Sequence, residues 1–284
     1  MPTLWGRNYQ LQELQAHWDL VYAAIDSVLG NTFTQLPFGD PRFGLPTATT
    51  FTGRRKHTDG LTPTWTWSEA PASFDAPLDL TSPDSFQGII PVVEFNGTDE
   101  EADTDDNAYW TRDDAGGANG FSVMVWAKIS SSGSGTRNFI SKRNDAGSTQ
   151  EWTFQIRDNE ILRLSLYDQS AGVSPYRASD VAITQDIWVC LVATYDGTGG
   201  ATAASGITQY VNGAVRASTA NEQGTYVGME NLGSKVSLAM EPNAARFFQG
   251  QLAGGPCGII WEQAEWTAAQ AKLLYDYTRG ALGV

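Results

Sequence analysis

Between residues 8 and 29 apolar side chains recur at Leu11, Leu14, Trp18, Val21, Ile25 and Val28. This 3-4-3-4-3 spacing predicts an amphipathic helix of about three heptads. Gly30 follows as a left-handed stop that satisfies the last carbonyls. A helix of this length is marginal in water by itself, so the seam needs a surface to cover it. Three surfaces are open: its own domain, copies of itself, or another protein. A homo-oligomer, a trimer before other sizes, is the expectation, with those six residues as its contacts.

The pattern then breaks. Residues 31–91 hold eight of the 12 prolines, and Phe38, Phe43, Phe51, Trp65, Trp67, Phe74 and Phe86 are scattered among Thr, Gly and Asp. Proline removes a donor and restricts its predecessor, so neither a helix nor a central strand is expected. The segment reads as an extended arm, too aromatic for a solvated linker, that packs on a surface. Arg54-Arg55-Lys56-His57 within it reads as a solvated turn or a contact to an acidic neighbour.

From about Val92 onward, short β-branched and aromatic runs alternate with Gly, Asn and Asp. Strands are predicted at 121–129, 151–156, 161–167, 186–195, 206–218 and 235–241. In 161–167, Leu162, Leu164 and Leu166 take one face and Ile161, Arg163, Ser165 and Tyr167 the other, as in a sheet with one dry side. Asn212-Gly213 predicts a type I′ hairpin turn, because both residues tolerate positive φ. Thr267-Ala-Ala-Gln270 predicts a capped terminal helix with Leu273, Leu274 and Tyr277 on one stripe and Gly280 as its close. Texture and charge narrow the class. The 29 glycines and 12 prolines punctuate the chain as an all-β protein does. Three regions follow: a helix over 1–30, an arm over 31–90, and a sandwich over 91–284.

The formal charge of −14 opposes phosphate backbones and anionic lipid, so neither nucleic acid nor a membrane is an expected partner. No stretch approaches the roughly 18 apolar residues of a spanning helix, and Met1-Pro2-Thr3-Leu4-Trp5 does not read as a secretory leader. Two histidines, His17 and His57, are too few for a three-histidine zinc site. Cys190 and Cys257 read as buried free thiols.

Two constellations could bind a ligand. Residues 94–114 hold Glu94, Asp99, Glu100, Glu101, Asp103, Asp105, Asp106, Asp113 and Asp114 against one cation, Arg112. Such density repels itself, and calcium would relieve it; Asp103, Asp105, Asp106 and Asn107 are the candidate ligands beside the simpler reading of a solvated acidic loop. Sugar C–H faces stack on aromatic rings, and Tyr109, Trp110, Tyr167, Tyr176 and Tyr226 sit in or near predicted loops as candidate glycan contacts.

Five segments, in order, resemble the laminin-G-like family of the concanavalin-A-type lectin and glucanase fold over about residues 90–282: VVEFNGTDE, FSVMVWAKI, FISKRNDAGSTQEWTFQI, WVCLVATYDGTGG with ITQYVNGAVRAS, and FFQGQLAGGPCGIIWEQAEWTAAQAKLLYDYTRG. Cys190 departs from the histidine the family often carries, and Gly254-Gly255-Pro256 from its Asp-x-Val. The resemblance implies an antiparallel two-sheet jelly-roll sandwich. Glucanases of this fold use a Glu-x-Asp-x-x-Glu arrangement that this chain lacks. Glu262 and Glu265 read as loop acids before the terminal helix.

The expected function is therefore binding without catalysis. The setting that joins a family deployed outside cells to a self-associating helix and an aromatic arm is the surface of a virus particle, as a tail fibre or capsid decoration. Residues 1–90 would then meet other virion proteins while the sandwich meets glycans or neighbours. An extracellular adhesion or lectin module, an architectural cement subunit and a glycan-cleaving enzyme are the alternatives.

Overall fold

The computed structural model describes residues 4–30, 32–43, 50–55, 62–69, 86–87, 90–112, 119–242 and 245–284. In chain order the strands are β1 (Phe33–Gln35), β2 (Thr50–Thr52), β3 (Arg54–Arg55), β4 (Thr64–Glu69), β5 (Phe86–Gln87), β6 (Ile90–Asn96), β7 (Glu101–Thr104), β8 (Phe121–Ile129), β9 (Arg137–Asn144), β10 (Thr149–Arg157), β11 (Ile161–Leu166), β12 (Tyr176–Ser179), β13 (Trp188–Tyr195), β14 (Ile207–Val211), β15 (Ala214–Val215), β16 (Ser218–Asn221), β17 (Val236–Leu238), β18 (Gln249–Ala253) and β19 (Ile260–Glu262). Two helices flank them, α1 (Leu4–Leu29) and α2 (Ala268–Leu282).

Pairing between these strands is antiparallel and builds two sheets. The first runs β15-β14-β13-β8-β18-β6-β5; β19 lies beside the start of β8, and β1 and β3 continue outward from β19. The second runs β16-β12-β11-β10-β9-β17-β7-β4-β2. Leu162, Leu164 and Leu166 of β11 and Phe154 and Ile156 of β10 face Val123, Val125 and Leu191 across the sandwich, all fully buried. Asn212 and Gly213 both have positive φ and turn β14 into β15, as their pairing predicts.

β8 and β13 read as near-continuous apolar runs because both of their faces are covered. Phe121, Val123 and Val125 enter the intersheet core, whereas Met124 and Trp126, with Cys190 and Val192 of β13, enter a second core beneath the helices. Strands buried on two sides need no polar alternation. Cys190 and Cys257 are free thiols in this second layer, and burial pushes both thiols up in pKa, away from thiolate reactivity.

The heptad seam lies in the same layer. Trp18 and Ile25 are fully buried against the first sheet, joined by Tyr22 and Leu29, with Leu14, Val21 and Val28 packed at the margin; the side chain of Leu11 lies outside the described residues. The seam assigned to self-association is thus filled by the chain's own sheet and α2. Intramolecular burial supplies the apolar cover that the spacing demands, without a second copy.

The arm is corrected as well. β4 lies between β2 and β7, inside the second sheet, and β1 lies between β19 and β3. Prolines bound these strands without interrupting them: Pro63 precedes β4, and Pro37 follows β1. Trp65 and Trp67 point into the core against Phe51, while Thr66 points out. Arg54 pairs with Asp26 of α1 at 2.5 Å and lies over the Tyr22 ring; Lys56, His57 and Phe74 lie outside the described residues. In α2 the Thr267–Gln270 capping box forms as the sequence predicts. The helix, however, continues through Gly280 to a left-handed Gly283, and its buried stripe is Ala271, Leu274, Thr278 and Ala281, with Leu273 and Tyr277 exposed.

Candidate functional site

On the outer face of the second sheet, register places Thr50, Thr66, Asp103, Ser237, Ser141, Thr153, Ser165, Tyr176 and Asn221 in one row across all nine of its strands. Directly opposed residues share a face, so the row is polar from edge to edge. Its four central side chains, Ser237, Ser141, Thr153 and Ser165, are fully buried. They are short and lie below the longer side chains around them. Arg163 is laid along the sheet in this way: its Nε donates to Ser165 Oγ at 2.8 Å, and its guanidinium lies 3.3 Å from the Tyr176 ring centroid.

Arg143 occupies the corresponding place over Tyr167, 4.9 Å from its ring centroid. Arg143 itself is held by Gln150, Asp145 and the buried carboxylate of Glu241, which Arg246 shares. The result is two cation–ring pairs, Arg143 with Tyr167 and Arg163 with Tyr176, on one face. Beside it, Arg143, Gln150, Tyr167, Asp168, Gln169, Gly172, Val173 and Ser174 line a cleft of about 220 Å³. Its rim is stiff. Asp168 and Val173 bridge, and the Asp168 carboxylate accepts from Ala171 N at 2.9 Å, Ser170 Oγ at 3.3 Å and Val227 N at 2.9 Å.

Of the sequence-predicted aromatic contacts, Tyr167 and Tyr176 lie part-exposed on this face. Tyr109, Trp110 and Tyr226 do not reach it. They are 5%, 1% and 1% exposed and point between the sheets. The turn Ala108–Trp110 is capped by Asn107 and folds its rings inward, where Trp110 packs on Trp65 and Trp261. A ring enclosed by other rings offers no face to a sugar. The sequence pattern does not mark Arg143, Gln150, Arg163 or Asp168 as ligand contacts. The alternation of 161–167 already put Arg163 and Tyr167 on one side, but Arg143 and Gln150 arrive from neighbouring strands.

The acidic run is dispersed by its partners. Asp103 pairs with Lys235 at 3.0 Å, Asp106 with Lys142 at 2.8 Å, and Asn107 Oδ1 accepts from Tyr109 N at 2.8 Å. Asp105 is exposed at a second cleft of about 270 Å³ shared with Thr62, Thr64 and Thr104. Calcium takes about six to eight oxygens, and these four residues do not fit that demand. Two carboxylates are neutralised by lysines, and the amide oxygen is committed to a turn. Among the described residues, no three His, Cys, Asp or Glu side chains are grouped to hold a metal ion.

Buried carboxylates elsewhere also have structural partners. Glu151 is held by Lys142 and Thr111, and Glu262 by Thr32 and Trp266. Glu262 is therefore not a loop acid. It is a buried member of β19, its pKa raised by desolvation against the lowering effect of those two hydrogen bonds.

Two antiparallel sheets packed face to face, with helices over one and a polar ligand-sized face on the other, define a lectin-like β-sandwich. The model of the concanavalin A-like lectin/glucanases superfamily, Laminin_G_3, matches residues 102–254, more than half of the chain, and the chain belongs to that family. Among solved structures, the binding domain of botulinum neurotoxin DC in complex with SialylT is similar at a TM-score of 0.54 and 10% identity, over 88% of this chain and 52% of that one. The botulinum neurotoxin serotype D/C VPI 5993 binding domain is similar at a TM-score of 0.53 and 12% identity, over 89% and 52%. The chain thus spans about half the length of those binding domains. A comparison with curated proteins finds no match. No helix among the described residues is long and apolar enough to cross a membrane.

Proposed function

We propose that the chain is a non-enzymatic glycan-binding module whose ligand lies on the outer face of the second sheet, in the cleft beside Tyr167. One observation carries the reading: the part-exposed Tyr167 ring, Arg143 and the Gln150 amide line a cleft of about 220 Å³ on a polar face that also carries the Arg163–Tyr176 pair. Rings supply stacking for sugar C–H faces, and the polar groups supply hydroxyl partners. Retaining glycoside cleavage needs two free carboxyls about 5 Å apart. In this cleft Asp168 is already bound by a hydroxyl and two backbone N–H groups, and Glu241, which holds Arg143 from outside the lining, is bound by two arginines.

A glycan array probed with the full chain tests this. Binding to at least one glycan class, reduced by about tenfold or more in Tyr167→Ala through loss of a stacking platform, is the expected result. An array blank at every spot overturns it, as does undiminished binding by the variant.

The setting we propose is the surface of a virus particle, where display in many copies turns weak sugar contacts into avidity. Capsid, portal or tail genes flanking the coding sequence are the expected finding, and a neighbourhood of purely cellular genes speaks against it.

A further inference from the structure

The chain carries 32 acidic residues against 18 lysines and arginines. With acids in such excess, a basic side chain readily finds a carboxylate. Arg42, Arg54, Arg137, Arg143, Lys235 and Arg246 each do so. Arg112, Arg177 and Arg216 spend their guanidinium groups on backbone carbonyls instead. Arg163 does neither. Its only hydrogen bond among the described residues runs from Nε to Ser165 Oγ, which leaves both Nη groups without an acceptor. It is part-buried, lies flat on Tyr176, and has Arg157 and Arg143 as its charged neighbours. Arg157, on the same face two residues beyond Gln155, likewise has no carboxylate partner among the described residues.

The same face of the sheet holds further unspent polarity. Thr153 Oγ1, Ser237 Oγ and both amide atoms of Asn138 are buried without a hydrogen-bond partner in the protein. Thr153 and Ser237 flank Ser141 in the polar row, and Asn138 lies opposite Gln155 in the next one. A guanidinium held part-desolvated among like charges costs free energy in the unliganded protein. Burial first, then the charges of Arg157 and Arg143, bring the pKa of Arg163 down to about 10, against the opposing influence of Tyr167 and Tyr176. A ligand anion removes that cost. The planar fork of Nη groups matches the geometry of a carboxylate or sulfate, and Tyr176 fixes its plane.

We infer that the ligand of this face is an acidic glycan, its carboxylate or sulfate held by the Nη groups of Arg163 with Arg157 as a second cation, and its sugar ring against Tyr167. This rests on the glycan-binding reading above and adds the charge of the ligand. Net repulsion between a chain of charge −14 and an anionic glycan does not exclude it, because charges beyond about 10 Å are screened at moderate salt while the arginine contact is local.

The test is an array carrying the same sugars in three forms: lactose, 3′-sialyllactose and 3′-sulfolactose, with oligogalacturonates and neutral gluco-oligosaccharides beside them. The full chain is expected to bind acidic forms about tenfold to a hundredfold more tightly than their neutral counterparts, the range of one charge-assisted contact. Carboxylated and sulfated spots then separate the two sources of the anion. Arg163→Gln should erase the preference, read as the ratio of acidic to neutral affinity within the variant. Raising the salt concentration should weaken the acidic forms selectively, a measurement that needs no variant. Equal binding of neutral and acidic forms overturns the inference and leaves the glycan-binding reading standing. Acidic preference that survives in Arg163→Gln assigns the anion to another site and also overturns it. Blank spots throughout overturn both readings together.

Discussion

Replacing Lys142 by methionine is expected to cost about 3–5 kcal/mol of folding stability at neutral pH, because it strands a buried carboxylate. Lys142 and Glu151 are both fully buried and paired, with Thr111 donating to Glu151 at 2.6 Å and Leu232 N at 3.1 Å. Asp106 loses its partner in the same variant. The pair exists because of a bulge. Gln150 and Trp152 sit opposite Arg143 and Lys142, and Glu151 between them is the extra residue of β10. This puts the lysine on the core side, opposite Trp152.

Glu151 already has a raised pKa, with desolvation as the largest cause and Lys142 the chief opposing one. A carboxyl whose folded pKa lies above its unfolded value stabilises the fold when protonated, and loses that contribution as pH rises through the window between the two values. The deficit of Lys142→Met should therefore be largest near neutrality and shrink as pH falls toward the ordinary carboxylate value of 4.5. Urea denaturation at several pH values, with Lys142→Met/Glu151→Met as the companion, measures this. The double variant should recover most of the loss, since replacing both charges removes both desolvation costs. A single-variant loss below about 1 kcal/mol at every pH would mean the pair is solvated and structurally idle.

How far such features can be read from the chain depends on whether they are local. The alternation of 161–167 depends only on successive residues pointing to opposite faces, so it separates the inner from the outer face of β11, although Ser165 on the outer face is covered by longer side chains. The capping box at Thr267 and the Asn212-Gly213 turn are equally local and form as written. Tyr109 and Tyr167 look alike in sequence, each an aromatic next to a turn. Whether the turn folds in or out depends on the sheet opposite, and a single segment carries no record of that. The Arg143–Tyr167 contact needs β9, β10 and β11 in register with a bulge at Glu151, a relation among three separated segments. Proline spacing misled in another way. Residues 31–91 are rich in proline on average, but a strand needs only a short proline-free window, and Thr64–Glu69 is one. The heptad seam correctly announced a buried stripe. Spacing names the buried face of a helix and is silent about which surface buries it.

That last distinction can be measured through Trp18. The side chain is fully buried with Ile25, Ala253 and Cys257 around the outer face of the first sheet, where α1 meets α2. Trp18→Ala should cost about 3–5 kcal/mol, the transfer free energy of a large aromatic plus the cavity it leaves. Leu20, on the opposite side of α1 and 70% exposed, provides the control: Leu20→Ala should stay within about 0.5 kcal/mol. Light scattering on the same samples separates the two roles of the seam. If α1 is a wall of its own domain, wild type and folded variant have the same mass, and the whole effect lies in the denaturation midpoint, independent of protein concentration. If it is an oligomer interface, Trp18→Ala lowers the mass, and wild-type stability rises with concentration by mass action. Concentration independence is the expected result, because the apolar face that would recruit another copy is already covered by Trp126, Ile260 and Leu274 of the same chain.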